Sequence, residues 1–231
     1  MPGSESSDVP DVIWERPERA ARGPRPAHSR AEIADAAVRV ADADGLDAVS
    51  MRKVAAEIGC GTMSLYNYVA GKEDLYELMV DAVSGEYVFP DRPSGDWRAD
   101  LLALARQTRA LMHRHPWLTK VLSQRYILGP NVLRYSEYCL WVLESLDRDS
   151  GTKMELIGVI NGLVTAYVAN ELAMGEGAPQ EVATRMAYLA RELGGGQYPR
   201  LAAALGSAPA LTDPDATFDR VLGRILNGYA A

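Results

Sequence analysis

Thr62, Met63, Ser64 and Asn67 carry the chain's most specific chemistry. At these spacings on a short helix they share an outer, mostly polar face, while Leu65 and Val69 point inward. An amide such as Asn67 can pair with the edge of an adenine. The Thr62 methyl and the Met63 side chain can touch the methyl group of thymine. A helix offering these groups suits the major groove of duplex DNA. A solvated helical hairpin would contain the same residue types, so on spacing alone both readings stay open.

The elements that must hold this face are legible on either side of it. Val54, Ala55 and Ile58 recur at helical spacing behind Ser50, which can cap the helix they belong to. Gly59 stands where a helix ends in the left-handed conformation that glycine tolerates best, and Cys60 and Gly61 complete the turn. A second helix follows over about Thr62 to Tyr68. Two short helices joined by such a turn match the helix-turn-helix pattern, whose second helix enters the groove. Upstream, Ser29 and Glu32 form the S-x-x-E capping box that opens a first helix. Ile33, Ala36, Ala37 and Val40 are its inward stripe, Gly45 ends it, and Leu46 and Val49 fill the space beneath the next helix. Downstream, Glu73 and Asp74 lie at the positive end of a further helix reaching about Glu86, with Leu75, Leu78, Met79, Ala82 and Val83 as its stripe.

From Ser50 to Leu75 the order S-M-R-x-V-A-x-x-I-G-x-G-x-M-S-L-Y-N-Y-V-x-G-K-E-D-L resembles the DNA-binding domain of the tetracycline-repressor (TetR) family, and the likeness extends over Ala31 to Val83. The resemblance implies a ligand-responsive transcriptional regulator, usually a repressor, released from a double-stranded DNA operator by a small-molecule effector. It places the base-reading residues at Thr62, Met63, Ser64 and Asn67. Ser50, Arg52, Tyr68 and Lys72 would grip the DNA backbone, and Tyr66 would belong to the core. It also implies that the rest of the chain binds the effector and forms a homodimer. Dimerisation has a physical reason as well. One short reading helix makes few contacts, and paired heads reach half-sites about 34 Å apart, or a multiple of that, on a near-palindrome.

The balance of charge sharpens the question of how DNA would be held. The net charge of −7 gives no bulk attraction to nucleic acid. The basic residues concentrate before the first helix, where Arg16, Arg19, Arg22 and Arg25 recur every third residue among Pro17, Pro24 and Pro26. The prolines favour an extended segment that would set the arginines along one edge. The expectation is a segment, residues 1–28, disordered in the free protein, whose removal leaves the fold intact. It is either a solvated tail or an arm reaching a minor groove beside the reading helix.

The remaining chain reads as all-helical, with no strand-period run. A clear boundary lies at Val88–Gly95. Helices are expected from Asp96 to His115, over Trp117–Gln124, Asn131–Leu146, Thr152–Met174 and Glu181–Leu193, and from Pro214 to Asn227. The organisation predicted is an arm (1–28), a three-helix helix-turn-helix head (29–72) and a larger ligand-binding and dimerisation body (73–231) entered through the linking helix 73–86. Candidate effector-binding residues are Trp117, Tyr126, Tyr138, Trp141, Asn161, Thr165 and Tyr167, since pockets are mostly apolar with a few placed polar groups. Taken singly, each could equally be an ordinary core residue with a satisfied polar end. The segment Thr152–Met174 is apolar nearly all round, which predicts burial on several sides. With Pro214–Asn227 it would form a four-helix interface with a second copy.

Other functions find little support. No G-x-S-x-G elbow, no H-E-x-x-H and no cysteine beside a basic partner points to an enzyme. His113 and His115, two apart, diverge on a helix and predict no metal site. Gly194-Gly195-Gly196 lacks the lysine of a phosphate loop, and no cofactor is expected. Cys60 and Cys139 read as reduced thiols. No leader and no apolar run near spanning length is found, which predicts a cytoplasmic protein with no membrane partner. The alternative is a helical small-molecule-binding or interaction protein without operator-specific DNA binding.

Overall fold

A computed structural model describes residues 12–16, 28–175, 179–207 and 213–229. Among the described residues there are eleven α-helices and no strand: α1 (Arg30–Asp44), α2 (Met51–Glu57), α3 (Thr62–Leu65), α4 (Lys72–Ser84), α5 (Trp97–Arg114), α6 (Trp117–Gln124), α7 (Pro130–Val142), α8 (Ser150–Gly175), α9 (Pro179–Gly194), α10 (Pro199–Ser207) and α11 (Pro214–Gly228). The all-α expectation is met.

Local chemistry explains where the helices start and stop. The Glu32 backbone N–H donates to Ser29 Oγ at 3.2 Å, and the Ser29 N–H donates to Glu32 Oε2 at 2.9 Å, closing the capping box of α1. Gly59, at φ 75°, makes the left-handed turn after α2 that any side chain would strain. The Ser50 hydroxyl accepts from the Lys53 N–H at 3.3 Å. Asp96 caps α5 by accepting from Arg98 and Ala99, and Asp213 caps α11 ahead of Pro214.

The chain divides into two compact units. One comprises Met1–Arg92 with Ala110–Trp141, the other Pro93–Arg109 with Val142–Ala231. In the first, α1 packs on α2 and α4, and α2 on α3. Ile33, Ala37, Val54, Leu65, Val69, Leu75 and Met79 are buried there. In the second, Leu101, Leu104, Leu156, Val164, Phe218 and Leu222 are buried. Two arginines of α5 tie this unit together. Arg106 forks onto Asp219 of α11 at 2.9 and 2.5 Å. Arg109 forks onto Glu171 of α8 at 2.9 and 2.8 Å and also reaches Asp215 of α11. Such two-pronged pairs fix geometry as well as charge.

Several expectations need correction. The reading helix α3 is a single α-turn, and the chain continues through 66–68 as turns, with the Tyr68 N–H bonded to the Leu65 carbonyl at 3.0 Å. Tyr66 is 47% exposed and not a core residue, because Leu65 and Val69 already fill the inward positions. Residues 12–16, expected to be disordered, form a turn whose Ile13 is 1% exposed. Removing residues 2–27 would therefore open a hole in the first unit, contrary to the expectation that the fold would be untouched. The helix α10 was not foreseen. The helix α8 is not buried on several sides: its buried residues, Leu156, Ile157, Ile160, Val164 and Val168, make one line. It is also long and apolar enough, by length and composition, to cross a bilayer, contrary to the expectation that no segment approached that length.

Candidate nucleic-acid interface

Three elements of the first unit present the predicted reading face: the start of α2, α3 with its following turn, and the start of α4. The inward side of α3 is fixed by Leu65 and Val69, both fully buried. With that side anchored, Met63 stands 79% exposed and Asn67 is exposed. Thr62 and Ser64 are half-buried at its flanks. The Asn67 amide makes no hydrogen bond to another described residue, so its donors and acceptor are open to a partner.

The residues expected to grip a DNA backbone surround this face. Ser50 and Arg52 are exposed at the start of α2. The Tyr68 hydroxyl accepts from the His28 backbone N–H at 3.4 Å, and the two rings meet edge to face. Lys72 opens α4 with its Nζ 5.5 Å from the centre of the Tyr76 ring, which Arg125 also covers at 5.3 Å. A cation held over a ring is oriented without being neutralised. Of the four arginines before α1, Arg19, Arg22 and Arg25 lie outside the described residues. Arg16 donates to Asp74 Oδ1 at 2.7 Å, an ion pair onto α4 that the sequence did not announce.

Behind the reading face, buried polar groups join the helices of the first unit. His115 is 5% exposed. Its Nδ1 faces the Asp42 carboxylate of α1 at 2.8 and 3.0 Å, and its Nε2 faces Glu86 at 3.2 Å. Trp117 donates its indole N–H to the same Asp42 at 2.7 Å. Asp81 of α4, 5% exposed, accepts from the backbone N–H groups of Asn131 and Val132 at 2.8 and 3.2 Å, and so caps α7. Burial pushes the Asp81 carboxyl above its usual range, against the pull of those bonds. Sequence reasoning missed both clusters. Their partners lie 29 to 75 positions apart, out of reach of any local pattern.

The candidate effector residues are distributed unevenly. In the first unit, Tyr138 is buried, stacks on Phe89 and meets Trp141 edge to face, with centroids 4.7 and 6.0 Å apart. Trp117 is engaged with Asp42, and Tyr126 is 84% exposed. In the second unit, Asn161 is half-buried, and its carbonyl accepts from the Thr165 hydroxyl at 2.8 Å. Tyr167 meets Phe218 edge to face, and burial raises its hydroxyl's pKa. In the first unit, Cys139 is buried beside Tyr135, and burial pushes its thiol up to about 12, which keeps it protonated. No cluster of three or more metal-ligating side chains occurs among the described residues.

Known proteins match this arrangement over nearly its whole length. Residues 33–79 match the model of bacterial regulatory proteins of the tetR family, and residues 89–231 match the tetracyclin repressor-like C-terminal domain. The chain belongs to the TetR family: it is a ligand-responsive, DNA-binding transcriptional regulator and not an enzyme. It is 38% identical over 200 residues to the HTH-type transcriptional repressor DrrR1 of Streptomyces coeruleorubidus, covering 83% of this chain and 74% of that one. It is 33% identical to an HTH-type transcriptional regulator of Saccharopolyspora erythraea, over 99% of this chain and 95% of that one. Among solved structures, apo ActR from Streptomyces coelicolor matches with a TM-score of 0.76 at 27% identity, covering 90% of this chain and 97% of that one. ActR in complex with actinorhodin matches with the same score over 87% and 96%.

Proposed function

We propose that the protein is a cytoplasmic repressor that binds a near-palindromic operator as a homodimer and leaves it when an aromatic small molecule binds. The observation that carries the reading is the contrast on α3: Leu65 and Val69 are sealed in the core, while Met63 and Asn67 stand open beside them. In this reading Thr62, Met63, Ser64 and Asn67 meet base edges. Ser50, Arg52, Tyr68 and Lys72 hold phosphates. Arg19, Arg22 and Arg25 reach the flanking minor groove.

Dimerisation draws support from glycines the protomer does not need. Gly158 and Gly162 of α8 and Gly223 of α11 lie inside helices, where each costs about 1 kcal/mol relative to alanine. A Cβ at any of them would meet nothing within 4 Å. Close approach of a partner's helices accounts for them. Leu222, expected at that interface, is fully buried within its own chain, so the exposed face of α8 is the better place to test it. A small-molecule effector draws on the complex of ActR with actinorhodin, and its aromatic class on the close-packed rings of Tyr87, Phe89, Tyr135 and Tyr138.

The test is a fluorescence-anisotropy titration of the purified protein against DNA from upstream of its own gene. The expected result is saturable binding with one dimer per site and a steep salt dependence. Release should follow on adding actinorhodin, the compound bound by ActR. Binding no tighter than to unrelated DNA would leave a helical ligand-binding protein without operator specificity.

A further inference from the structure

Three of the four acids of α4, Asp74, Glu77 and Asp81, stand at i, i+3 and i+7, so they share one face. Each is met by a different part of the first unit. Asp74 accepts from Arg16 at 2.7 Å and from the Ala70 N–H at 2.6 Å, which closes the turn ahead of α4. Glu77 lies beside Trp14 and the Leu128 backbone N–H. Burial and the neighbouring Asp74 and Asp81 push its carboxyl up, while Trp14 and Leu128 hold it partly down. Asp81 caps α7 through Asn131 and Val132. Two neighbours thus share one acidic line: the segment 12–16 at its N-terminal end and the chain from 128 to 132 at the other. Ile13, at 1% exposure, pins the segment in place.

We propose that Val12–Arg16 is a strap that positions α4, and that Arg16 supports operator binding through Asp74 and not by touching DNA. The inference rests on the operator-binding reading above. α4 begins at Lys72, directly after the reading turn, and Asp74 is bonded back to Ala70 within that turn. Arg16 therefore bears on the residues that aim α3 and Lys72. Its guanidinium is already held by a carboxylate with 13% side-chain exposure, a poor starting point for a phosphate contact. Arg16 is thus a positioning residue, separate in role from Arg19, Arg22 and Arg25.

The two roles predict different salt dependence. A lost phosphate contact lowers the slope of log K against log salt by about 0.9, whereas a positioning defect lowers affinity at every salt equally. With full-length protein, Arg16→Ala should weaken operator binding by about 2- to 30-fold with an unchanged slope. Asp74→Asn, which keeps an oxygen for the Ala70 N–H, should do the same. The double variant should be no worse than either single, and Arg16→Lys should recover most of the affinity. Amide exchange at Lys72–Ser84, measured without DNA, should quicken in Arg16→Ala. That readout holds even if the wild type binds no operator, so failure of the strap and failure of the functional reading remain distinguishable. A slope reduced by about 0.9 in Arg16→Ala, with normal binding by Asp74→Asn, would make Arg16 a DNA contact and overturn the proposal. Additive losses in the double variant, or unchanged exchange in α4, would overturn it as well.

Discussion

The helices α4 and α8 are opposites in how completely their own chain surrounds them. Each acid of α4 has a partner: Glu73 pairs with Arg125, Asp74 with Arg16, Glu77 lies by Trp14 and Leu128, and Asp81 holds the start of α7. Its apolar side, including Leu75, Leu78, Met79 and Val83, is buried. The helix α8 is more apolar, yet it leaves Met154 and Val159 48% and 41% exposed and Gly158 and Gly162 facing open space. Directional bonds on α4 set its position within one protomer. Apolar area on α8 sets no register by itself and gains stability only when a second surface covers it. The difference suits a regulator in which one helix relays position and another holds subunits together.

The comparison breaks most decisively at α8. Replacing Gly158 and Gly162 together by leucine adds bulk where the protomer has room and replaces poor helix formers, so the protomer should fold with unchanged or higher helicity. The dimer should be lost. Operator affinity should fall toward the non-specific level, about 10³-fold or more. Sedimentation velocity checks the first outcome and anisotropy the second. A variant that remains dimeric would place the interface away from this face. The reading face is tested next. Asn67→Ala, which breaks no hydrogen bond among the described residues, should cost about 1–3 kcal/mol of operator binding and relax preference at one base pair. Equal binding of the variant and the wild type to every operator substitution would make Asn67 an ordinary surface residue.

The tight packing against α4 predicts a stability effect of similar size with no special role for DNA. A Cβ built on Gly129 would lie 2.2 Å from Asp81 Oδ1. Gly129→Ala must therefore push Asp81 off the N-terminus of α7 or shift the loop. The expected loss is about 1–3 kcal/mol of stability, read in thermal unfolding. An alanine variant as stable as the wild type would show that the cap on α7 is loose.

What the sequence made legible follows from the range of the interactions involved. The capping box at Ser29, the glycine turn at Gly59, the limits of α6 and the start of α11 depend on residues a few positions apart, and each was predicted. The outward placement of Thr62, Met63, Ser64 and Asn67 was legible because helical spacing separates Leu65 and Val69 from their more exposed neighbours. Tyr66 was misplaced because Leu65 and Val69 already fill the inward positions around it and leave its ring outward. The strap was hidden by composition: prolines and arginines around residues 12–16 read as a disordered arm, and one buried isoleucine outweighs that signal only when its site is known. The helix α10 follows a glycine triplet and has too short an apolar period to register. The Asp81 and His115 clusters join positions that only the folded chain brings together.

The smallest expected effect concerns the protons on α4. Burial raises the Asp81 carboxyl above its ordinary 3.8 even though two backbone N–H groups favour its charge. A carboxyl raised in the folded state binds its proton more readily there than in the unfolded chain. Its contribution to stability is therefore full below 3.8 and is lost as pH rises through the higher folded value. Asparagine at this position has the same shape and does not titrate. The difference in unfolding temperature, Asp81→Asn minus wild type, should therefore become more positive between pH 3.8 and neutrality, by about one to a few degrees. Its absolute sign at neutral pH depends on how well the amide serves the Asn131 and Val132 N–H groups, but its slope with pH does not. Exposed pairs such as Arg106 with Asp219, whose carboxyl is held below its usual range, titrate alike in both proteins and cancel. A flat difference across this interval would mean that water reaches Asp81 freely. The contact of the chain from 129 to 132 with α4 would then be open to solvent at this position.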